Sequence, residues 1–358
     1  MALPARVGTA STSAAPYPIH TYALRTLQVE TKQSWSFDAA QIAQAQRFNK
    51  TLERLPRFRI RNRVTPMLIQ TLLRAGQLGK ALKPVRHGLV IESRVLVSAD
   101  AVPVSVRIIR PQGPAKGLVL DFHGGGWVIG NAQMNDDVNI ALVQACDVAV
   151  ISVDYRLAVS TPLQGLLDDC LAATRCVLGG GFPEFEGLPV IMVGESAGGH
   201  LAAATLLQLK RWPALLQRVC GALLYYGVFD LTGTPSVRQA GPDTLVLDGP
   251  GMVEAFRRLT PDLADEQRRQ PSLSPLYGDL DGLPPALMFV GELDPLRDDT
   301  LLMAERWGRE AAVDLRLLPA SPHGFIHFPT PMAARALTYS HEWIVRLLAA
   351  RAAQDPPG

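Results

Sequence analysis

Between residues 189 and 211 the sequence sets a short apolar run, Pro189-Val190-Ile191-Met192-Val193, directly against Gly194-Glu195-Ser196-Ala197-Gly198-Gly199 and then an alanine- and leucine-rich stretch. A strand that reverses into a helix over so few residues leaves no room for side chains at the flanks of the turn. Glycine therefore stands at 194, 198 and 199. The serine between them is expected in a strained backbone conformation, with its Oγ projecting above the sheet edge. The first turn of the following helix would aim its amides and dipole at the same point. This is the context that a G-x-S-x-G nucleophile elbow requires. Alone the pattern is weak, because glycine and serine are common in ordinary turns.

The surrounding chain supplies the layers such a turn needs. Strand-like runs are expected at 89–97, 104–109, 118–122, 148–153, 189–193, 220–225, 286–290 and 313–318. From about residue 136 they alternate with helical stretches near 136–146, 163–178, 197–211, 297–310 and 331–350. Short, nearly all-apolar strands separated by helices imply a mostly parallel sheet covered on both faces. The first two runs lie close together and read as an antiparallel hairpin at one edge. Residues 36–85 read as helical, with Phe37, Ile42, Phe48 and Leu52 in one segment and Met67, Leu68, Leu72, Ala75 and Leu78 in another. Residues 1–30 are polar and read as loosely docked. The region 227–280 has no strand signal and is expected to be an insertion above the sheet.

Composition narrows the function classes. With 358 residues, 47% hydrophobic and 19% charged, the chain has the make-up of a globular enzyme with a large core. A formal charge of +2 argues against nucleic acid as a partner. The four cysteines, Cys146, Cys170, Cys176 and Cys220, show no C-x-x-C pairing, so no metal site is expected and the thiols read as buried and free. Residues 1–18 hold no apolar core of a signal peptide, and no apolar run reaches the ~18 residues of a membrane span. A cytoplasmic location follows by default.

A serine hydroxyl is a poor nucleophile at neutral pH. It needs a base, the base needs an orienting acid, and the developing oxyanion needs donors. The strand Leu118–Phe122 runs into His123-Gly124-Gly125-Gly126-Trp127, where consecutive glycines leave backbone amides uncovered, as in the H-G-G-G oxyanion loop of lipases and esterases. The alternative readings are a flexible strand-end loop or a phosphate cradle, the second disfavoured because no Lys-Ser/Thr follows as in a P-loop. The acid candidate is Asp294, just past a strand in Val290-Gly291-Glu292-Leu293-Asp294-Pro295-Leu296. Its competitors are Glu292 and the Asp298–Asp299 pair, which reads as a solvated helix start. The base candidate is His323, which follows the last strand after the acid. His327 reads as a wall residue, His200 and His341 fall inside helices, and His123 reads as an anchor of the glycine loop. The order Ser196, Asp294, His323 is that of an α/β-hydrolase.

With these segments in place, the chain resembles the bacterial hormone-sensitive-lipase-like (family IV) esterases of the α/β-hydrolase superfamily. The matching residues are His123–Trp127, Asp154-Tyr155-Arg156-Leu157-Ala158, Asp168-Asp169-Cys170, Gly194–Gly199, Ser274-Pro275-Leu276, Leu283-Pro284-Pro285, Asp294-Pro295-Leu296-Arg297-Asp298 and His323-Gly324-Phe325. The resemblance implies an α/β-hydrolase fold, with a mostly parallel eight-stranded sheet, helices on both faces and a helical cap. It implies Ser196, Asp294 and His323 as the catalytic residues and the amides of Gly125, Gly126 and Ala197 as the oxyanion hole. Residues 1–85 would be an N-terminal segment with cap helices, and 86–358 the catalytic domain with a cap insertion at 227–280. The chain departs from the family at Val159-Ser160 in place of Pro-Glu, at Leu163-Gln164 in place of Phe-Pro, and at Glu195 where Asp is commoner.

The expected activity is hydrolysis of short to medium acyl esters of small molecules through a serine acyl-enzyme, with no cofactor. An amidase or acyltransferase would use the same groups, and a ligand-binding protein on this scaffold should lack part of them. Trp127, Phe229, Phe325 and Ile326 are candidate pocket walls, against an alternative reading as core. The stretch from Arg54 to Arg86 holds Arg54, Arg57, Arg59, Arg61, Arg63, Arg74, Lys80, Lys83 and Arg86 with no acidic residue. It reads as the outer face of a cap helix, with weak contact at a lipid surface as the alternative. Stable membrane insertion is not expected, and a homo-oligomer is compatible with the sequence.

Overall fold

A computed structural model describes residues 35–60, 62, 64–81, 88–96 and 103–354. The readings of residues 1–30, of Arg61, Arg63, Lys83 and Arg86, and of the side chains of Leu78 and Lys80 lie outside the described residues.

Eight strands form one sheet: β1 (Leu89–Leu96), β2 (Val104–Pro111), β3 (Leu118–Phe122), β4 (Ala149–Asp154), β5 (Val190–Glu195), β6 (Val219–Tyr225), β7 (Ala286–Gly291) and β8 (Val313–Leu318). Their order is β1-β2-β4-β3-β5-β6-β7-β8. The β1–β2 hairpin is antiparallel and β2 also runs antiparallel to β4, while every pairing from β4 to β8 is parallel. The strands expected from the sequence are all present, with ends shifted by a few residues.

Alternation along each parallel strand fills two cores. Leu120, Phe122, Ile151, Met192, Leu224 and Met288 pack on one face. Val119, Val150, Ile191, Leu223, Leu287 and Phe289 pack on the other. Each is essentially fully buried, and each contributes about 1.5–3 kcal/mol of transfer free energy. The helices of eight residues or more are α1 (Ala39–Leu52), α2 (Val64–Ala81), α3 (Asp136–Cys146), α4 (Leu163–Leu178), α5 (Ala197–Leu209), α6 (Met252–Leu259), α7 (Arg297–Trp307) and α8 (Pro331–Gln354). Side chains of α4, α5 and α7 complete the first core, and those of α3 and α8 the second. No helix among the described residues is long and apolar enough to cross a membrane.

The N-terminal helices dock in different places. Helix α1 is started by a capping box between Asp38 and Gln41. It lies along α8, with the Asn49 side chain donating to the Ala320 carbonyl at 2.8 Å. Helix α2 is fastened to the glycine loop by Gln70, which exchanges two 2.8 Å hydrogen bonds with the Gly130 backbone. Its outer side leaves Val64, Met67, Leu68 and Leu72 exposed. Between the two helices Phe58 bridges to Leu247 in parallel fashion: its amide donates to Val246 and its carbonyl accepts from Asp248. The region 227–280 contributes no strand to the sheet and holds α6 with several short helical turns.

The loop after β4, which carries Val159-Ser160 and ends on Pro162 at the start of α4, is held by a charged fork. Arg156 grips Asp169 of α4 with two guanidinium hydrogen bonds of 2.7 and 2.8 Å, and its own amide donates to the same carboxylate. Two residues on, the Ala158 amide donates to the Trp127 carbonyl at 2.7 Å, tying this loop to the glycine loop. Because the Asp169 carboxylate is buried and charge-assisted, Asp169→Ala should lower the unfolding free energy by about 2 kcal/mol. Urea denaturation measures this; a change below ~0.5 kcal/mol, the usual size for surface substitutions, would show that the fork does not hold the loop.

Candidate active site

The site begins with register. In the β3–β5 pairing Phe122 stands opposite Gly194, so the glycine loop and the elbow leave the sheet side by side. At the elbow Ser196 has φ 53° and ψ −119°, in the positive-φ region where a side chain is strained. Its amide donates to the Tyr225 carbonyl at 2.9 Å, and its own carbonyl accepts from His200 and Val228. Helix α5 starts so close beneath β3 that a Cβ on Gly198 would lie 1.9 Å from the Phe122 carbonyl oxygen. That contact is why residue 198 carries no side chain.

Loops after β7 and β8 bring two more groups to the same edge. His323 places Nε2 2.9 Å from Ser196 Oγ and Nδ1 2.9 Å from Asp294 Oδ2. The other Asp294 oxygen accepts the Leu296 amide at 2.8 Å, which fixes the carboxylate plane. Both side chains are buried. The Tyr226 ring meets the His323 ring edge to face at 4.7 Å. An imidazole whose Nδ1–H is held by a carboxylate keeps Nε2 as an acceptor, so the Ser196 hydroxyl can donate its proton along this line.

The glycine loop faces the serine. Gly125 has φ 104°, and a Cβ there would fall 2.1 Å from the Ile129 carbonyl oxygen. Its carbonyl turns inward to accept from Val128 and Ile129. The amides of Gly125, Gly126 and Ala197 meet no acceptor among the described residues, so they are free to receive an oxyanion. His123 anchors this loop: its Nδ1 is 2.8 Å from the Gly124 carbonyl and its ring stacks on Tyr155 at 4.1 Å. Burial lowers the His123 pKa, keeping the ring neutral.

The other titratable groups sort themselves differently from the sequence expectations. Glu292 is exposed. Asp299, read as part of a solvated helix start, is fully buried. It accepts the amides of Phe229 and Asp230 and the Thr234 hydroxyl, and burial pushes its pKa up to about 8. The start of α7 packs beneath the 229–234 loop, which sequence spacing cannot reveal. His327 forms no pocket wall: its Nε2 lies 2.7 Å from Glu195 Oε2. His200 is buried in α5, between the Trp127 indole N–H and the Leu273 carbonyl, with its pKa lowered by burial to about 4. Asp121 on β3 accepts from Asn139 and Ser152, and burial raises it to about 6. No group of His, Cys, Asp and Glu among the described residues could hold a metal ion.

Beside Ser196 lies a cavity of about 560 Å³ walled by Phe58, Ile60, Trp127, Leu247, Met252 and Phe256. Of the expected walls, only Trp127 lines it. Phe229, Phe325 and Ile326 are buried core side chains: Phe229 in the core beneath α7, and Phe325 and Ile326 in the opposite one, with Phe325 against Tyr226. Large apolar residues next to a motif point into the core when their strand or turn faces that way, and local sequence does not say which. Neither α1 nor α2 lines the cavity; the link 58–60 does, with Arg59 paired to Asp248 at 3.1 Å.

Comparison with known proteins places the fold. Residues 119–327 match a family model described as the alpha/beta hydrolase fold. The carboxylesterase NlhH of Mycobacterium tuberculosis is 34% identical over 258 residues, covering 69% of this chain and 80% of that protein. The esterase of Pyrobaculum calidifontis superposes with a TM-score of 0.72 at 25% identity, over 84% of this chain and 97% of its own. Esterase LipW from Mycobacterium marinum superposes with a TM-score of 0.73 at 25% identity, over 84% of this chain and 95% of its own.

The elbow's close contact sets a test. Gly198→Ala should destabilise the fold by about 3 kcal/mol, the upper range for overpacking, because backbone carbonyls of Phe122 and His123 stand in the way. Gly113→Ala, where nothing lies within 4 Å, should stay within about 0.5 kcal/mol of the unmodified chain. Chemical denaturation of the two variants measures the difference, and equal stabilities would refute the contact.

Proposed function

The chain belongs to the α/β-hydrolase fold family, in its hormone-sensitive-lipase-like branch, and is a carboxylic-ester hydrolase; on that premise we propose that it works through a Ser196 acyl-enzyme, with His323 as base and Asp294 as its orienting acid. The observation that carries this reading is the unbroken line from Asp294 Oδ2 through His323 to Ser196 Oγ, with both links at 2.9 Å.

In the proposed cycle Ser196 Oγ attacks the ester carbonyl carbon as its proton passes to His323 Nε2. The imidazolium so formed is stabilised by Asp294 through Nδ1–H. Negative charge collects on the former carbonyl oxygen, where the amides of Gly125, Gly126 and Ala197 receive it. The tetrahedral intermediate collapses when His323 returns the proton to the alcohol oxygen, which departs and leaves Ser196 acylated. Water then attacks the acyl carbon, giving its proton to His323, and the second collapse releases the carboxylic acid and restores the Ser196 hydroxyl. The strained turn at 196 and the free amides exist before substrate arrives, so little reorganisation is needed during reaction.

The apolar cavity is the proposed acyl pocket, and the link 58–60 with the 242–258 segment is its proposed cover. Phe58 stands over the oxyanion loop: a Cβ on Gly126 would lie 2.8 Å from the Phe58 ring. A pocket closed by this ring suits short to medium acyl chains.

Two outcomes follow. Ser196→Ala should lower kcat on chromogenic esters by about 10⁶-fold if the three groups act as a unit, with the thermal unfolding temperature unchanged; near-full turnover by that variant would refute the assignment. Phe58→Ala should shift the acyl-length preference upward, since each additional buried methylene contributes about 0.8 kcal/mol, roughly fourfold in kcat/KM. An acyl-length series on both enzymes checks this, and an unchanged optimum would remove Phe58 from the pocket.

A further inference from the structure

One buried carboxylate beside the nucleophile has no part in the proposed cycle and yet touches both the glycine loop and the loop that carries His323. Glu195 is 4% exposed. Its Oε2 accepts from the Tyr226 hydroxyl at 2.9 Å and meets His327 Nε2 at 2.7 Å. Its Oε1 faces the Gly124 amide at 3.4 Å, a long contact, and lies 3.1 Å from where a Cβ on Gly124 would stand. Gly124 directly precedes the two glycines whose amides face Ser196. His327 closes the short helical turn Phe325–His327 that follows His323, its amide donating to the Gly324 carbonyl. Tyr226 carries the ring packed on His323. The glycine loop, the histidine loop and the ring behind the histidine therefore share one anionic partner.

We propose that Glu195 is a positioning residue, which through its ion pair with His327 holds the oxyanion loop and the His323 loop at their working separation. The proposal rests on the acyl-enzyme reading above. The pair is built to stay charged. Burial works to raise the Glu195 carboxyl, but His327, the Tyr226 hydroxyl and the Gly124 amide outweigh it and bring the pKa to about 2. For His327, burial works to lower the imidazole, and Glu195 overcomes it with help from Asp121 of β3 and Asp137 of α3, leaving the pKa raised. The charged groups that raise it, Glu195, Asp121 and Asp137, are acidic. Glu195 is neutralised only near pH 2, and His327 loses its proton as pH rises through its raised value, so the clamp holds between those two limits and releases as pH rises past the upper one. Neutral His327 can still donate from Nε2–H but no longer carries the charge that opposes the carboxylate, so both loops are then held by a weaker contact.

The test uses the full-length enzyme with Glu195→Gln, His327→Gln, the double variant and Ser196→Ala. Glu195→Gln changes a buried group, whereas the His327 side chain is 34% exposed, so its replacement probes the same pair from a site that tolerates change. Each single variant should lower kcat for a short chromogenic ester by about tenfold or more with little change in KM, and the double should be no worse than the weaker single, as for two halves of one interaction. An alkaline fall in kcat that is present in the unmodified enzyme should vanish in all three. Singles within about twofold of the unmodified enzyme, or losses that multiply in the double variant, would overturn the proposal. An alkaline limb that persists without His327 would overturn it as well. The Ser196→Ala arm separates the two readings: turnover surviving there removes the acyl-enzyme itself, while its loss alongside unaffected Glu195 and His327 variants removes only the clamp.

Discussion

The approach of α5 to the end of β3 is the constraint on which the site depends. Helix α5 begins so near the Phe122 carbonyl that Gly198 has no space for a side chain, and the chain can enter the helix only by forcing Ser196 to φ 53°. Strain of this kind costs about 1–3 kcal/mol and persists only where the surroundings over-determine it. Here they do: the Ser196 amide is held by β6, its carbonyl accepts from two amides, and the α5 side chains are locked in the core. The in-phase pairing of Phe122 with Gly194 then brings the glycine loop beside the serine. The remaining loops, after β7 and β8, emerge at the same edge because the strands are parallel, which is where open α/β sheets place their sites.

This edge gathers buried charge, and each group is satisfied in its own way. Asp294 is held by His323 and an amide, Asp299 by two amides and a hydroxyl, Asp121 by Asn139 and Ser152, and Glu195 by His327 and Tyr226. A buried carboxylate without such partners would be costly. The differences set their ionisation: a cationic partner holds Glu195 near 2, whereas neutral donors leave Asp121 near 6 and Asp299 near 8.

Much of this was legible along the chain because its signals are local. A strand followed by G-x-S-x-G and a helix, or by three glycines, carries its geometry in adjacent residues, and the Ser, Asp, His order follows from parallel strands. The unread parts depend on residues distant in sequence. Asp299 looks like an exposed helix start until the 229–234 loop folds over it. Phe229, Phe325 and Ile326 stand beside motifs but face the core, whereas Phe58 lies outside every motif and reaches the pocket through a link bridged to Leu247 and paired to Asp248. The Glu195–His327 pair spans 132 residues; the substitution of Glu for the commoner Asp was the only trace of it.

The most direct test of the account is covalent. An activated alkyl phosphonate carrying a chromogenic leaving group should transfer one phosphonyl group per chain, found by peptide mass spectrometry on Ser196, with ester turnover lost in proportion. Labelling should slow sharply in His323→Ala, since Oγ then has no base. Turnover that persists after saturating exposure, or an adduct on any residue other than Ser196, would contradict the account.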